Sequence, residues 1–523
     1  MCAKGRQSSA RIGTRSALAA SRIRRPQATL ALSLTLLLAT APVAFACRTT
    51  TAAAAKPTPV SVFLDAGEPG AAVPQNFLGL SFEVAALPQL ASYASHGDLV
   101  TLLRSLGVGV LRFGGVTSDE QIAWRDERTP RPSWALGVLE AGNLRELGSL
   151  AAESDWRILL TLGLGHYEPE AAAREAAAAK AALGEWLEAI ELGNEPNSYA
   201  VHGLRSQPWS FVQYDEQVSA YRGAIEALAP GIPLAGPDVS GSSAYESWGL
   251  GEAVDVRPAL LTGHHYPLGC KQQPPPSIAR LLSPQIRRLE ERSLRRYLLV
   301  AQASGIPFRM DEANTVSCGG VPGISDTFAS ALWAVAYVTR AMSMGASGIN
   351  LEGNPNNCVG YTLLCAPTAE AAASGELQVQ PEWYALLLTK ALIGERPLPT
   401  RTRAPARPDV VVTSFLAGDG TLHFVVVDDD LPGAHGAAVA LHVGEGFHGA
   451  SILSLRAPSQ QALSGVQLGG RSVAPDGIWS EPSKLPRAAN RHGVITVDVP
   501  PNSAALVTVS PRGEVTGGST AAP

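Results

Sequence analysis

Between Phe77 and Leu351 the chain repeats one phrase eight times: a short apolar run that ends in a polar or glycine-rich turn, followed by a stretch of helical periodicity. The runs are Phe77–Phe82, Gly109–Phe113, Arg157–Leu162, Leu187–Leu192, Ile232–Ala235, Ala259–Thr262, Pro307–Met310 and Ala346–Leu351. Between them, Leu99–Leu106, Ala171–Leu183, Ser210–Leu228, Pro284–Ser304 and Asp326–Met344 carry apolar residues three and four apart, the spacing of an amphipathic helix. Parallel strands need a long crossover to return. The alternation therefore predicts an α/β fold, a closed parallel (β/α)8 or TIM barrel over residues 76–395. Every strand of such a barrel delivers its C-terminal end to one mouth, so the residues just past each run are where chemistry is expected.

The pattern changes after Pro381. Glu382–Gly394 reads as the last helix, and then Val410–Ala417, Thr421–Val427, Ala437–Val443 and Gly493–Val499 alternate apolar and polar residues between short loops. They predict a C-terminal antiparallel β-sandwich over residues 396–511. The run Val60–Asp65 has no partner in the barrel, so the segment 59–75 is expected to complete that sandwich as an N-terminal strand. Residues 512–523 read as a disordered tail.

Residues 1–46 hold seven basic residues and no acidic one, and they end in the apolar run Ala28–Ala46 with a small-x-small step, Ala44-Phe45-Ala46. That is the pattern of a signal peptide, followed by a Thr-, Ala- and Pro-rich linker at 47–58. No apolar run of spanning length follows, so no transmembrane span is expected in the mature chain. Cys47 is a candidate for a lipid anchor, although Ala44 and Phe45 fit a lipoprotein signal poorly. The expected location is secreted or periplasmic, with anchoring at the cell envelope as the lesser alternative.

Removing the seven leader cations from 41 basic residues leaves 34 against 46 acidic ones, a net charge near −12. Such a surface repels polyanions, and nucleic acid is not an expected partner. In an oxidising compartment Cys270, Cys318, Cys358 and Cys365 allow three pairings. Cys358–Cys365 with Cys270–Cys318 is one of them, and free thiols are the alternative. Neither a CxxC pair nor an HExxH motif occurs, and no metal site is expected.

Read in order, the strand ends carry Glu83, Arg112 with Gly114 and Gly115, His166, Asn194 with Glu195, Asp238, His264 to Tyr266, Glu312 and Glu352. Any one of these alone is most often a helix cap or a solvated loop end. Two segments stand out: Glu191-Leu192-Gly193-Asn194-Glu195-Pro196-Asn197 after the fourth run, and Phe308-Arg309-Met310-Asp311-Glu312-Ala313-Asn314 at the seventh. Two carboxyl groups across one pocket are what glycosidic bond cleavage requires. One protonates the leaving oxygen, and the other attacks the anomeric carbon or activates water. Salt-bridged structural carboxylates are the competing reading of the spacing alone.

Leu111-Arg112-Phe113-Gly114-Gly115, Glu191 to Asn197, Gly236-Pro237-Asp238-Val239, His264-His265-Tyr266 and Ser325-Asp326-Thr327-Phe328 together resemble glycoside hydrolase family 79, the β-glucuronidase and heparanase family of clan A, and within it the bacterial-type β-glucuronidases. The resemblance runs over roughly residues 60–511. It implies retaining hydrolysis without a metal or organic cofactor, with Glu195 as general acid/base and Glu312 as nucleophile. It further implies that Asn194 bonds the 2-hydroxyl of the reacting sugar, Tyr266 holds the nucleophile's oxygen, His265 lines the same wall and Glu83 binds sugar hydroxyls. Donors from Tyr266 or Arg112 would keep Glu312 ionised. The stretch Cys318-Gly319-Gly320 resembles the loop whose backbone N–H groups accept the uronate carboxylate, glycine letting the main chain approach closely.

At strand eight the chain departs from the family, with Leu351 and Glu352 where an aromatic residue and a histidine are expected, and Tyr361 is the candidate to replace the missing contact. The implied substrate is a glucuronic-acid-containing glycan or glycoside. The implied function is an exo-acting β-glucuronidase releasing terminal glucuronic acid, 4-O-methylated or not. An endo-acting heparanase-like enzyme and a non-catalytic glycan-binding barrel are the alternatives.

Overall fold

The computed structural model describes residues 57–65, 67–128, 130–404, 409–430 and 435–513. The signal peptide, most of the linker, Cys47 and residues 514–523 of the tail lie outside these. No helix among the described residues is long and apolar enough to cross a membrane.

Eight parallel strands close into a barrel in chain order: Leu78–Glu83, Gly109–Gly114, Trp156–Leu162, Leu187–Leu192, Leu234–Ser240, Leu260–His265, Phe308–Ala313 and Gly348–Gly353. Side chains on a strand alternate between its two faces. Val110, Leu159, Ala189, Ala235 and Leu260 point inward and form a small apolar cluster of their own, whereas their neighbours Leu111, Leu160, Ile190 and Leu261 join the large core beneath the helices. Two residues further along the same strands come Arg112, Thr161, Glu191 and Thr262, all buried, so the interior turns from apolar to polar within one layer. The fifth and sixth strands outrun their apolar stretches: Ser240 still pairs with His264, while Asp238 sits in a register break between Gly236 and Val239 and reaches that polar layer.

At the opposite end Arg309 plugs the barrel. Its Nε donates to Asn350 Oδ1 at 2.7 Å and its Nη atoms to the Asn76 carbonyl. Only glycine fits at 348, where a Cβ would lie 1.9 Å from that guanidinium.

The second layer pair is a sandwich of a five-stranded and a seven-stranded sheet. The N-terminal strand Thr58–Leu64 joins the smaller sheet as expected, but the sandwich is not antiparallel throughout. That strand lies antiparallel to Thr400–Arg403 and parallel to Ala437–His442. Its register sets Val60 beside Val439 and Val62 beside Leu441, all buried in the sandwich core. The strand Leu422–Asp428 departs from the alternation read in the sequence and is almost wholly buried. Both its faces are covered: Phe424 and Val426 enter the sandwich core, while Val425 and Val427 pack with Phe415 and Leu506 into the barrel's core. Phe447–Arg456 and Ser503–Pro511, not read from the sequence, complete the larger sheet.

Candidate active site

Arg112 is the centre of the barrel mouth, with no exposed surface. Its Nε faces Glu191 Oε2 and Asp311 Oδ2, both at 3.1 Å. Nη1 donates to Glu312 Oε2 at 2.7 Å and to Ser81 Oγ at 3.1 Å, and Nη2 donates to Asp238 Oδ2 at 2.9 Å and Asn194 Oδ1 at 3.0 Å. One guanidinium thus ties together strands one, two, four, five and seven. A planar fork of five N–H donors is the side chain suited to that task.

Around it sit more carboxyl groups than cations, and proton sharing follows from burial. Burial pushes Asp311 well above the usual carboxylate range, with Glu191 and Asp238 adding to the rise. Glu191 is raised for the same first reason. Asp238, though equally buried, is held far below that range by Arg112 and His264. His264 Nε2 meets Asp238 Oδ1 at 2.6 Å and its Nδ1 meets Glu195 Oε1 at 3.0 Å. Burial alone would favour its neutral form, but Asp238, Glu312 and Asp311 outweigh that and keep it an imidazolium.

Glu195 follows Gly193 and Asn194 at the end of strand four. Its backbone is left-handed, φ 47°, and its N–H donates to the Asp238 carbonyl at 2.9 Å. Gly193, φ 80°, is required there, since a Cβ would come 2.3 Å from Tyr199 Oη. Of the seven non-glycine residues with positive φ among those described, Glu195, Asp238 and Cys318 lie at this mouth. Strain of this kind collects where function demands a fixed geometry.

Glu312 faces inward directly after the inward-facing Asp311. A register shift between Met310 and Glu312 breaks the alternation and makes this feasible. Its Oε1 accepts a hydrogen bond from Tyr266 Oη at 2.8 Å. Burial would raise Glu312, but His264 and Arg112 overcome it and hold the carboxyl below its ordinary value, with Tyr266 assisting. A carboxylate so depressed stabilises the fold above its ordinary range, and that contribution is lost as pH falls through its lowered value. Tyr266→Phe is therefore expected to move the acid limb of kcat/KM upward. It should also lower the optimum by about 10- to 100-fold, the worth of ~1.5–3 kcal/mol for a hydrogen bond to a charged group. A pH–rate profile with an unmoved acid limb would show that Tyr266 does not set the state of Glu312.

The other expected residues divide. Tyr361 reaches the site: its ring stacks on Tyr266 with centroids 5.7 Å apart, and the two hydroxyls lie 3.4 Å apart. Glu83 lies at the same mouth, its Oε2 taken by the Thr117 N–H at 2.8 Å and hydroxyl at 2.6 Å. Burial raises its affinity for a proton, and nearby Glu312 adds to that. Glu352 is buried with one oxygen, Oε2, lacking a partner; burial, then Glu312 and Glu83, push it well above the usual range and favour its neutral acid.

His265 does not line the pocket. It faces the helix layer, where its ring stacks on Tyr337 at 5.1 Å and its Nδ1 lies 3.4 Å from Ser293 Oγ. Parity is the reason: Leu260, Thr262 and His264 share the inward face, which leaves His265 on the outward one. The signal that would have selected His264 was present in that two-residue period.

Both disulfides that pair neighbouring loops are formed, Cys270–Cys318 and Cys358–Cys365. Cys318, Gly319 and Gly320 all have positive φ, 64°, 85° and 84°. The Cys318 and Gly320 N–H groups have no acceptor among the described residues, the Gly319 N–H is turned to the Tyr361 hydroxyl, and the Gly319 carbonyl accepts from the Tyr361 N–H at 3.2 Å. A Cβ at Gly320 would lie 2.3 Å from the Tyr361 nitrogen. Successive amides in left-handed backbone form a concavity suited to an anion.

Two triplets, Glu195 with His264 and Glu312, and Asp238 with His264 and Asp311, hold their donor atoms within 4.8 Å of one another. Such spacing could seat a cation, and the Arg112 guanidinium already stands among these carboxyls as a positive charge. A cavity of about 720 Å³ lies elsewhere, between the segment 376–384 and the sandwich loop 463–477.

Fold and site together define a closed (β/α)8 barrel with an attached β-sandwich and two carboxyl groups, Glu195 and Glu312, facing each other at its mouth. The chain is similar to a β-glucuronidase of Neurospora crassa, 24% identical over 263 residues, which are 46% of this chain and 42% of that protein. The match thus spans about two fifths of the relative's length. Among solved structures, a 4-O-α-L-rhamnosyl-β-D-glucuronidase from Fusarium oxysporum 12S superposes with a TM-score of 0.70 at 17% identity, covering 86% of this chain and 100% of that one. A family 51 arabinofuranosidase from Xanthomonas axonopodis pv. citri gives 0.64 at 16% identity over 87% of this chain and 100% of that one. No family model matches the chain.

Proposed function

We propose that the protein is a retaining, exo-acting β-glucuronidase of glycoside hydrolase family 79. The observation that carries the reading is the pairing of Glu195 and Glu312, which bring carboxyl oxygens within 4.8 Å of each other across the mouth. Retaining enzymes hold their carboxyls about 5–5.5 Å apart, whereas inverting ones leave about 6.5–9.5 Å for a water. Glu312, ionised, attacks the anomeric carbon while protonated Glu195 gives its proton to the departing oxygen, and a glycosyl ester on Glu312 results. Glu195, now a carboxylate bonded by His264, takes a proton from water as that water attacks the same carbon and frees Glu312. Asn194 has its carbonyl oxygen on Arg112, which turns its amide nitrogen to the sugar's 2-hydroxyl.

The successive amides of Cys318, Gly319 and Gly320 in left-handed backbone, with the Tyr361 hydroxyl beside them, support a uronate as the reacting sugar. The N. crassa relative and the F. oxysporum structure, both glucuronidases by name, agree with it. Initial rates on an aryl β-D-glucuronide and the matching β-D-glucoside test the reading, with Gly320→Ala as the discriminating variant. Turnover of the glucuronide is expected to exceed that of the glucoside, and the variant to lose it selectively by about 10-fold or more, as one charge-assisted hydrogen bond is worth ~1.5–3 kcal/mol. Equal rates on both sugars, unaffected by the variant, would refute uronate recognition. Turnover of neither would favour an enzyme needing an extended glycan.

A further inference from the structure

Asp119 belongs to none of the contacts above. It sits on the short helix Val116–Glu120 that follows strand two and is 2% exposed. Its two oxygens accept four hydrogen bonds. Oδ1 takes the backbone N–H groups of Leu164 and Gly165, each at 2.8 Å, and Oδ2 takes the Asn194 N–H at 2.9 Å and the Tyr199 hydroxyl at 2.7 Å. Leu164 and Gly165 follow strand three, Asn194 follows strand four, and Tyr199 opens the next short helix. The helix can come this close because residues 163 and 165 are glycines: a Cβ at Gly163 would lie 2.4 Å from the Ser118 carbonyl, and one at Gly165 2.5 Å from that of Asp119.

The consequence lies in what is gripped. Asn194 immediately precedes Glu195 and Tyr199 follows it by four residues, so one carboxylate oxygen pinches both ends of the turn that presents Glu195. That turn holds Glu195 in left-handed backbone, a conformation that L-residues adopt only when their surroundings impose it. Burial pushes Asp119 up to about 6 while its donors pull the other way, which leaves it ionised at neutral pH.

We propose that Asp119 is a positioning residue for proton donation: by accepting from Asn194 and Tyr199 at once, it sets the turn that aims the Glu195 carboxyl at the leaving oxygen. The inference rests on Glu195 being the general acid. Asparagine at 119 keeps the shape but turns an NH2 toward two of the four donors, so the grip is broken without a cavity. Misaimed acid matters only where the departing group needs a proton, which gives the test a readout that general damage would not move.

The experiment compares kcat/KM on phenyl β-D-glucuronide, a poor leaving group, with 2,4-dinitrophenyl β-D-glucuronide, which departs without protonation, for the wild type, Asp119→Asn, Tyr199→Phe and Glu195→Ala. Positioned acid catalysis contributes about 10²–10⁴-fold, so Asp119→Asn should lose about 100-fold on the phenyl substrate and less than about 5-fold on the dinitrophenyl one, with Tyr199→Phe showing the same selectivity on a smaller scale. Equal losses on both substrates, while Glu195→Ala discriminates between them, would overturn the role of Asp119. No discrimination by Glu195→Ala itself would remove the acid assignment and the inference with it. Should Asp119→Asn fail to fold, judged by its thermal unfolding, Tyr199→Phe decides by the same criterion.

Discussion

Glu312→Gln is expected to lower kcat/KM on an aryl β-glucuronide by at least about four orders of magnitude, because a neutral amide cannot form the glycosyl ester and no other inward group is both ionised and placed to replace it. The neighbouring carboxyls cannot stand in. Asp311 is raised and bonded to the Gly263 N–H, and burial drives Glu352 toward its neutral acid. The same role has a direct signature in the wild type. A 2-fluoro glucuronyl fluoride should leave one sugar on the protein, found by mass spectrometry on the peptide bearing Glu312. Label on another carboxyl, or full activity in Glu312→Gln, would reassign the nucleophile.

The second large effect is on stability. Arg112→Met removes the guanidinium that faces Glu191, Asp238, Asp311 and Glu312, all buried. Breaking a buried ion pair from one side costs about 3–5 kcal/mol, since the abandoned charge keeps its desolvation penalty. Here four carboxyls lose one partner, so the loss should reach at least that range.

The sign of its pH dependence is also fixed. Without Arg112, Asp311 and Glu191, already raised by burial, hold protons still more tightly in the folded than in the unfolded chain. The variant therefore keeps most stability at low pH and loses it as pH rises through the raised values. Thermal unfolding of Arg112→Met should fall further below wild type at pH 8 than at pH 5. A deficit independent of pH would mean the guanidinium acts through packing alone.

Much of this site was legible because a parallel barrel has simple rules. Apolar runs gave the strands, and the polar residue after each run marked the mouth, which placed Glu195 and Glu312 on strands four and seven before any coordinates. Parity, applied strictly, would also have exchanged His265 for His264. It would still have misled at strand seven, where the register shift turns both Asp311 and Glu312 inward. Asp119 carried no local signal, for a carboxylate on a short helix after strand two looks like any solvated one. Its importance arises from Asn194 and Tyr199, 75 and 80 residues away along the chain.

By itself the sequence determined what local interactions and periodicity dictate: the order of the barrel's strands and helices, the sandwich joined by its first strand, and the chemical types delivered to the mouth. Only the tertiary structure decided which of those groups touch. Protonation follows contact, because the energy of a buried charge depends on its distance to the next one and on the water excluded between them. Asp238 and Asp311 are the same residue type, equally buried around one arginine, yet one is held ionised and the other driven toward its neutral acid. The difference lies in where His264, Arg112 and Glu191 come to rest, which no stretch of sequence contains.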